Sequence, residues 1–236
     1  MAFAIFRTHF LVKEDYASGT WPKDAKDNLK GDDKDKSIYS KIHMLSGKIA
    51  EAIRVGYTGG AVDMYIPKPV KGVKIFAYDV NSLFPFVMKN FMFPIRTPTY
   101  FEGNILKMVP NAFGFFFCKI TAPKELIHPI LQTHVKPKGG ASLRTIAPLG
   151  TWEGMYFSEE LINAIKYGYS FEVLWGYTFE RGFIFKDYID SLYNIRLQYP
   201  KSDPMNLVAK LLLNSLYGRF GMNDSFTYSE IYSKKD

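Results

Sequence analysis

The sequence predicts an α+β fold, and three observations support that prediction. Apolar residues recur at helical spacing in residues 38–55 and again in two blocks between residues 186 and 220. From Val73 the apolar pattern becomes strand-like. Residues 96–185 contain short aromatic segments separated by proline and glycine, which is typical of strands joined by turns.

The composition is that of a globular protein. Of the 236 residues, 47% are hydrophobic and 17% aromatic, which allows a sizeable core and excludes wholesale disorder. No stretch approaches the roughly 18 uninterrupted apolar residues that a membrane span needs. The single cysteine, Cys118, excludes an internal disulfide, and the four histidines lack zinc-site spacing. We therefore expect an intracellular or intra-organellar protein with no membrane partner.

Positive charge is concentrated in the middle of the chain. The net charge is +7, but residues 64–151 alone contain eleven lysines and arginines against three acids. Such a surplus suits a polyanionic partner, because each cation placed on a phosphate releases bound counterions. A basic surface that serves only solubility is an equally good interpretation of the charge alone.

The first sixty residues are predicted to contain two elements and a linker. Residues 1–21 form a short amphipathic element, and segment 22–37, with five lysines and five aspartates, is a solvated linker. Residues 38–55 form a helix whose apolar face is made by Ile38, Ile42, Leu45, Ile49 and Ile53. The helix breaks at GYTGG, where Gly56, Gly59 and Gly60 permit positive φ or close approach of another backbone.

Asp79 stands where the strand-like pattern ends. The apolar approach VKIFAY leads to this single carboxylate, and DVNSLFP then contains a turn and a proline. A strand that stops at an acid before a helix is one way to present a metal-binding carboxylate. It is also an ordinary way to cap a helix, so the local sequence leaves both interpretations open.

The later helices have start and stop signals. In SEELINAIKYG, Ser158 is the predicted N-cap, Glu160 lies near enough to help cap the first turn, and Gly168 closes the helix. KDYIDSLYNIRLQY and PMNLVAKLLLNSLYGRF are predicted to form a helical hairpin. Its turn is placed at residues 200–203, with Pro204 in the first turn of the second helix.

The second helix of the hairpin carries a polar stripe. Lys210, Asn214 and Tyr217 follow at i, i+4 and i+7, which places them on one helical face. The faces that pack are assigned to the leucines between them: Leu211, Leu212 and Leu216. Lysine is a point-charge ligand for phosphate, and tyrosine offers a flat surface for stacking. For this helix in isolation, a solvent-facing stripe is the simpler interpretation.

Together, the motifs DVNSLFP and KLLLNSLYG, about 130 residues apart, resemble motifs A and B of family B DNA polymerases. The resemblance is closest to the protein-primed branch found in some phages and on linear organellar plasmids, because YTGG is similar to its Tyr-x-Gly-Gly element. That branch implies five segments. They are a linker and end of the exonuclease part (1–60), the palm (61–95), an insertion resembling the first terminal-protein region (96–185), the fingers (186–222) and a return to the palm (223–236).

The resemblance also implies roles for the residues of the first motif. Asp79 would be catalytic and, with the Val80 carbonyl, would bind the two Mg²⁺ ions that assist nucleotidyl transfer. Backbone N–H groups of the turn from Asn81 to Phe84 would bind the incoming triphosphate, and the nucleotide-binding positions here would be Val80, Ser82, Leu83 and Phe84. Phe84 stands at the family's usual tyrosine position, so its ring would exclude a ribose 2′ hydroxyl without the tyrosine's own hydrogen bond.

Further roles are implied for the second motif and the glycine-rich element. Lys210 would be catalytic, because it would hold the triphosphate and neutralise its developing charge. The other nucleotide-binding positions would be Asn214 and Tyr217, beside the nascent base pair, and Arg196, as a second phosphate contact. The DNA-binding positions would be Tyr57, Gly59, Gly60 and Gly218. A surface arginine at 196 and a structural turn at 57–60 are the alternative interpretations.

One expected part of the site is missing. The family places a second catalytic aspartate in a Tyr-x-Asp-Thr-Asp strand after motif B, and neither Asp224 nor Asp236 stands in such a setting. We therefore expect a fragment of a DNA-directed DNA polymerase with half of its Mg²⁺ site and no activity alone. A nucleic-acid-binding remnant without catalysis is the alternative. A nuclease ranks third, because Asp79 has no Asp/Glu partner motif.

The resemblance also implies partners and a location. The partners would be a DNA primer-template, deoxynucleotides and a terminal-protein primer. The location would be a mitochondrion, with a virus or phage as the alternative.

Overall fold

In a computed structural model of the protein, the described residues are 1–10, 45–68, 71–140 and 142–222. They fall into two compact units. The sheet unit contains described residues of 45–78 and 94–182, and the helix unit contains residues 1–10, 79–93 and 183–222. Both helices and strands are present, so the predicted α+β class is confirmed.

The secondary structure consists of the following elements. The helices are α1 (Ala2–His9), α2 (Gly47–Val55), α3 (Leu83–Asn90), α4 (Ser158–Ile165), α5 (Lys186–Gln198) and α6 (Pro204–Gly221). The strands are β1 (Phe93–Glu102), β2 (Gly114–Ala122), β3 (Thr133–Val135), β4 (Arg144–Ile146), β5 (Gly150–Phe157) and β6 (Ser170–Gly182). A short 3₁₀ turn at Ile105–Lys107 follows β1.

The sheet unit is built around one four-stranded sheet in the order β1-β6-β2-β5, with β3 and β4 as a separate antiparallel ribbon. Strand β2 is central and pairs antiparallel with both of its neighbours. Its buried residues Phe116, Cys118 and Ile120 alternate with more exposed ones, as the period of a strand requires. They pack with Leu161 and Ala164 of α4 to form the core of this unit. Burial raises the pKa of the Cys118 thiol to about 12, so this cysteine is protonated at neutral pH.

The start of α4 corrects one prediction. The N-cap is Phe157 rather than Ser158. The Ser158 hydroxyl is buried and accepts a hydrogen bond from the backbone N–H of Gly114, 3.2 Å away, so it is occupied by the sheet. Glu160 does assist the first turn, because its carboxylate accepts a hydrogen bond from the backbone of Phe157. Gly168 follows the helix with a φ of +84°, as predicted for a closing glycine.

The helix unit is held together by an aromatic core between α1, α5 and α6. The fully buried Phe6 ring lies 5.0 Å from Phe185 and 5.7 Å from Tyr188, measured between ring centroids. The buried Tyr188 hydroxyl donates a hydrogen bond of 2.9 Å to the Leu212 carbonyl on α6. Burial raises the pKa of Tyr188 to about 12. This network fixes α6, the helix that carries the polar stripe.

The predicted helical hairpin is confirmed as α5 and α6. Asp203 caps α6 by accepting the backbone N–H of Met205 at 2.8 Å, and Pro204 is the first helical residue. The Asn206 side chain donates hydrogen bonds to the carbonyls of Arg196 and Tyr199, both at 2.9 Å. Those carbonyls lie at the end of α5, where helical partners are lacking, so Asn206 fastens the two helices together.

The predicted strand that leads to Asp79 is absent. Residues 71–80 form neither helix nor strand, and all are exposed. The physical reason is that a strand is stabilised by a hydrogen-bonded neighbour, and no segment in the described part of the chain pairs with this one.

Other predictions are corrected or lie outside the described residues. The helix predicted over 38–55 is observed only as α2, and Leu45 precedes it. Four predicted stretches lie outside the described residues. They are residues 11–21 of the first element, the linker 22–37, residues 38–44 of the predicted helix and the return segment 223–236. Leu211, expected to pack, is 57% exposed. Among the helices that the structure describes, none is both long and apolar enough to cross a bilayer.

Candidate functional site

Asp79 lies in the exposed segment directly before α3. Its carboxylate has no hydrogen-bond or ion-pair partner within the described part of the chain. Three residues later, Ser82 adopts a left-handed backbone conformation with φ of +53° and ψ of +45°. This conformation costs a non-glycine residue about 1–2 kcal/mol, and such positions concentrate at functional sites. The strained turn directs the chain from Asp79 into the helix.

The first turn of α3 presents free backbone donors. Ser82 makes no side-chain hydrogen bond to the helix, while its carbonyl accepts the N–H of Phe86 at 2.9 Å. The N–H groups of Leu83 and Phe84 precede the first intrahelical hydrogen bond, so no carbonyl of the helix satisfies them. The helix dipole also makes this end positive. An anion at this turn would therefore meet two N–H donors and a favourable field.

The two motifs of the sequence meet through a pair of aromatic rings. Phe84 of α3 and Tyr217 of α6 lie edge to face, with ring centroids 4.7 Å apart and an interplanar angle of 61°. Lys210 lies two turns before Tyr217, about 10 Å along the helix axis. Lys210 and Asn214 are exposed, and Tyr217 is half-buried. We call the resulting area the motif surface, made by Ser82, Leu83, Phe84, Lys210, Asn214 and Tyr217.

Helix α3 is anchored to α5 as well as to α6. Met88 is buried in the core of the helix unit, and Lys89 forms an ion pair of 2.5 Å with Asp190 of α5. Because the paired side chains are 42% and 38% exposed, the ion pair contributes at most about 1 kcal/mol. Burial of Met88 is therefore the stronger anchor, and it holds the Phe84 end of α3 in place.

Two cations of the hairpin have different surroundings. Lys210 is exposed, and no acid among the described residues forms an ion pair with it. Arg196 on α5 is partly buried, and its Nε atom is buried without a hydrogen-bond partner in the described part of the structure. Buried donors are ordinarily satisfied, so this Nε–H is suited to donate a hydrogen bond to an outside acceptor. Lys210 is thus accessible to an anion from solvent. Arg196 can bind an anion through Nε only if the anion reaches this buried atom.

A divalent-metal centre needs more ligands than the described residues supply. Mg²⁺ takes about six oxygen ligands and usually keeps several waters or phosphate oxygens. Asp79 offers one carboxylate and Val80 one carbonyl. Elsewhere in the described residues, no three histidine, cysteine, aspartate or glutamate side chains cluster. These residues therefore do not by themselves form a magnesium site.

A second group of predicted contact residues lies in the sheet unit, after α2. We call residues 57–60 the glycine segment; it has neither helical nor strand structure. Tyr57 is 58% exposed, and the Arg54 guanidinium lies 5.4 Å from its ring centroid. The Tyr57 N–H donates to the Arg54 carbonyl at 3.0 Å, and the Tyr57 carbonyl accepts from His134 Nε2 at 3.0 Å. Tyr57 is therefore held at both of its backbone polar groups.

The glycines of this region serve different purposes. A Cβ added to Gly56 would lie 2.5 Å from the Met155 carbonyl oxygen, so the packing of α2 on β5 requires glycine there. A Cβ added to Gly59 or Gly60 would meet no atom of the described residues within 4 Å, and neither glycine has a positive φ. The fold does not require glycine at these two positions, and their exposure leaves room for another backbone to approach. Gly218 on α6 is similarly open.

Beside the glycine segment lies a pocket of about 140 Å³ that is unsuited to phosphate. Its lining includes Thr58, His134 and the two acids Glu153 and Glu160. Desolvation of the carboxyl group raises the pKa of Glu160, and the hydrogen bond from Phe157 opposes that rise. Two acids in a small pocket repel anions, so an anion is disfavoured inside it.

Comparison with known proteins decides the family. The whole chain, residues 1–236, matches the family described as DNA polymerase type B, organellar and viral. The chain belongs to this family. It is 43% identical over 223 residues to a probable DNA polymerase of Ascobolus immersus, and 42% identical over 230 residues to one of Neurospora intermedia. Each alignment covers 94% of this chain, which spans 16% and 20% of the length of those polymerases.

More distant relatives give the same result. The DNA polymerase of Bacillus phage Nf is 30% identical over 227 residues, covering 89% of this chain and 38% of that protein. The structure resembles Phi29 DNA polymerase complexed with primer-template DNA and incoming nucleotide substrates, with a TM-score of 0.55 and 26% identity. That match covers 75% of this chain and 32% of the Phi29 chain. The type B polymerase resemblance based on the motifs is therefore confirmed.

Sequence reasoning missed two residues of this type B polymerase chain. His134 is 77 residues from the Tyr57 carbonyl that it binds, and no local signal points to that pairing. Asn206 lies in the first turn of α6, where a buried amide binds the end of the preceding helix. A polar residue directly after a capped hairpin turn was a signal that could have identified Asn206.

Proposed function

We propose that the chain is the part of a DNA-directed DNA polymerase that binds the incoming deoxynucleotide and supplies one catalytic carboxylate. The observation that carries this proposal is the contact of Phe84 with Tyr217. Through it, the turn that follows Asp79 and the Lys210 face of α6 border one surface. Within the described part of the chain, the N–H groups of Leu83 and Phe84 and the Lys210 side chain have no partner, and such donors on one surface suit a triphosphate, whose oxygens accept several charge-assisted hydrogen bonds.

Asp79 is the metal-binding carboxylate in this proposal, with the Val80 carbonyl beside it. Two Mg²⁺ ions supply activation of the primer hydroxyl and stabilisation of the phosphate charge when they are bound. The chain's own residues hold the nucleotide in place. Ser82 sets the turn, and the N–H groups of Leu83 and Phe84 bind phosphate oxygens.

Lys210 and its neighbours provide charge and shape. Lys210 binds the triphosphate and balances the negative charge that develops as the bond breaks. Asn214 and Tyr217 border the base pair, and Gly218 leaves room for the strand. Arg196 is a second phosphate contact, a role supported by its Nε, which lacks a hydrogen-bond partner among the residues that the structure describes.

Phe84 selects the sugar in this proposal. Its ring lies against Tyr217 and is therefore held in a defined position on the motif surface. A fixed ring beneath the sugar leaves no room for a 2′ hydroxyl, so deoxynucleotides are preferred. Phenylalanine provides this steric selection without the hydrogen bond that a tyrosine hydroxyl would add.

Tyr57, Gly59 and Gly60 contact the template strand. The support is the exposure of the Tyr57 ring and the open space around both glycines. Aromatic rings stack on bases, and glycines allow the strand backbone to come close. The basic surplus of residues 64–151 adds attraction for phosphates.

The parent polymerase has a protein-primed mode of initiation and an organellar or viral location in this proposal. The family description and the fungal and phage relatives support it. The location is a mitochondrion, with a virus as the alternative, and the partners are primer-template DNA, deoxynucleotides and a terminal-protein primer. Residues 61–95 belong to the palm, 96–185 to the insertion and 186–222 to the fingers.

The test uses a longer polypeptide that contains this chain together with the Tyr-x-Asp-Thr-Asp strand. Primer extension with Mg²⁺ and four deoxynucleotides is measured for the wild type, Asp79→Asn and Asp63→Asn. Asp63 is a matched control, because it is an exposed aspartate that accepts a hydrogen bond from its neighbour Met64. We expect Asp79→Asn to abolish extension and Asp63→Asn to leave it intact. Normal extension by Asp79→Asn would remove the assignment of the catalytic carboxylate.

The isolated chain is expected to bind primer-template DNA without extending it. One carboxylate does not hold two metal ions in line with a primer hydroxyl, and much of the rate depends on that placement. Binding is expected to weaken steeply as salt rises, because it depends on phosphate contacts. Extension by the isolated chain, or an affinity that does not change with salt, would contradict these expectations.

A further inference from the structure

His134 connects the β3–β4 ribbon to the glycine segment. Its Nε2 lies 3.0 Å from the Tyr57 carbonyl oxygen, and its Nδ1 lies 3.1 Å from the Thr145 hydroxyl oxygen. A carbonyl oxygen only accepts hydrogen bonds, so Nε2 must carry the hydrogen in this contact. In the neutral ring Nδ1 then accepts from Thr145. The imidazole is therefore held at both nitrogens, between a strand of the ribbon and the segment.

We propose that His134 is a positioning residue for DNA binding, because it fixes the Tyr57 carbonyl and thereby orients the backbone of residues 58–60 toward a nucleic-acid strand. The proposal rests on the strand-binding role given above to the glycine segment. The planar trans peptide makes the connection direct. In a trans peptide the Thr58 N–H points opposite to the Tyr57 carbonyl. The bond from His134 holds the carbonyl toward His134, so the Thr58 N–H points away from His134.

The free donors of the segment support this assignment. The Thr58 N–H has no hydrogen-bond partner among the described residues. Tyr57 itself is fully held, since its N–H binds the Arg54 carbonyl and its own carbonyl binds His134. The fixed part of the segment thus ends at Tyr57. Thr58 is half-buried beside the pocket, whereas a Cβ added to Gly59 or Gly60 would meet no described atom within 4 Å. Among the described residues, the bond from His134 is the hydrogen bond that sets the rotation of the peptide between Tyr57 and Thr58.

The charge of the ribbon shows which ligand this arrangement suits. Lys136, Lys138 and Arg144 are exposed on the β3–β4 ribbon and its connecting loop. His134 therefore joins the segment to a ribbon that carries three cations. A phosphate backbone that meets the free N–H of Thr58 is attracted by the same ribbon. The acids of the neighbouring pocket, Glu153 and Glu160, lie in the lining that includes His134 and keep anions out of the pocket itself.

Two substitutions at position 134 separate positioning from general stability. A glutamine amide nitrogen reaches the place of imidazole Nε2, whereas the shorter asparagine amide reaches only the place of Nδ1. His134→Gln is therefore expected to keep the bond to Tyr57, and His134→Asn and His134→Ala are expected to lose it. His128→Ala is the matched control, because His128 is an exposed histidine of the same unit whose ring contacts Tyr65 at 4.6 Å.

The experiment measures three quantities for the longer polypeptide that extends primers. They are the dissociation constant for a labelled primer-template by fluorescence anisotropy, the KM for deoxynucleotides and the melting temperature. We expect His134→Ala and His134→Asn to raise the dissociation constant by about fivefold to tenfold, as the loss of one hydrogen bond implies. His134→Gln and His128→Ala should stay within about twofold of the wild type. The KM for deoxynucleotides and the melting temperature should not change.

Coupling to Gly59 provides an independent readout. If both residues act through the same segment, Gly59→Ala weakens DNA binding less in the His134→Ala background than in the wild type. Additive effects would overturn the proposal, and so would equal binding by His134→Ala and the wild type. A lower melting temperature in all three His134 variants, without rescue by glutamine, would show a structural role and also overturn it. A wild type that binds no DNA would contradict the proposed function itself, which is a different outcome.

Discussion

Alanine substitutions at Gly56 and Gly59 test whether the fold or a bound strand requires glycine at each position. At Gly56 the added Cβ lies 2.5 Å from the Met155 carbonyl oxygen and 3.1 Å from its carbon. Backbone atoms cannot rotate away as a side chain does, so α2 or β5 must shift, and such overpacking costs about 1–3 kcal/mol. At Gly59 the added Cβ meets nothing within 4 Å in the described part of the structure. Alanine there restricts the unfolded chain and stabilises the fold by about 0.4–1 kcal/mol.

Both variants are measured in the isolated chain with the same two assays. Urea denaturation gives the free energy of unfolding, and fluorescence anisotropy gives the dissociation constant for a labelled primer-template at low salt. We expect Gly56→Ala to lower the free energy of unfolding by about 1–3 kcal/mol. We expect Gly59→Ala to keep or raise it, yet to bind DNA about tenfold more weakly, because a methyl group separates the strand from the backbone. Wild-type binding by Gly59→Ala, or a loss of stability equal to that of Gly56→Ala, would refute the reasoning.

The hairpin of α5 and α6 was predictable because its signals are local. The turn at 200–203, the Asp203 cap and Pro204 lie within a few residues of one another, and helical periodicity flanks them. Local sequence therefore determines both the end of one helix and the start of the next. The same reasoning placed Lys210, Asn214 and Tyr217 on one face, since a helix fixes their angular spacing.

Features that depend on distant residues could not be predicted in this way. The segment that leads to Asp79 has a strand pattern, but a strand forms only where a neighbour supplies hydrogen bonds. Ser158 has a good capping side chain, yet a hydrogen bond from Gly114, 44 residues away, occupies its hydroxyl. His134 is recruited to Tyr57 by the folding of the ribbon. In each case the decisive contact is between elements that the sequence places far apart.

Three further predictions follow from the helix unit. Lys210→Ala in the longer polypeptide should raise the KM for deoxynucleotides and lower kcat, each by about tenfold, in steady-state primer extension, because its charge assists both binding and the transition state. Unchanged kinetics would contradict its role. Phe84→Ala should lower the preference for deoxynucleotides over ribonucleotides, measured as a ratio of kcat/KM values, more than it weakens DNA binding. The third concerns Tyr188, whose pKa is raised from the ordinary 10 to about 12 by burial. Because the folded state disfavours ionised Tyr188, this group contributes about 3 kcal/mol to the free energy of unfolding below pH 10. That contribution is lost as the pH rises from 10 through 12. Tyr188→Phe should cost about 1 kcal/mol at pH 8, because the Leu212 carbonyl loses its donor. It should also lose less stability than the wild type between pH 10 and 12. Urea denaturation at pH 8, 10 and 11 measures both effects, and the difference between variant and wild type separates Tyr188 from Cys118, whose thiol titrates in the same range. An identical alkaline loss in the two proteins would show that ionisation of Tyr188 does not drive unfolding.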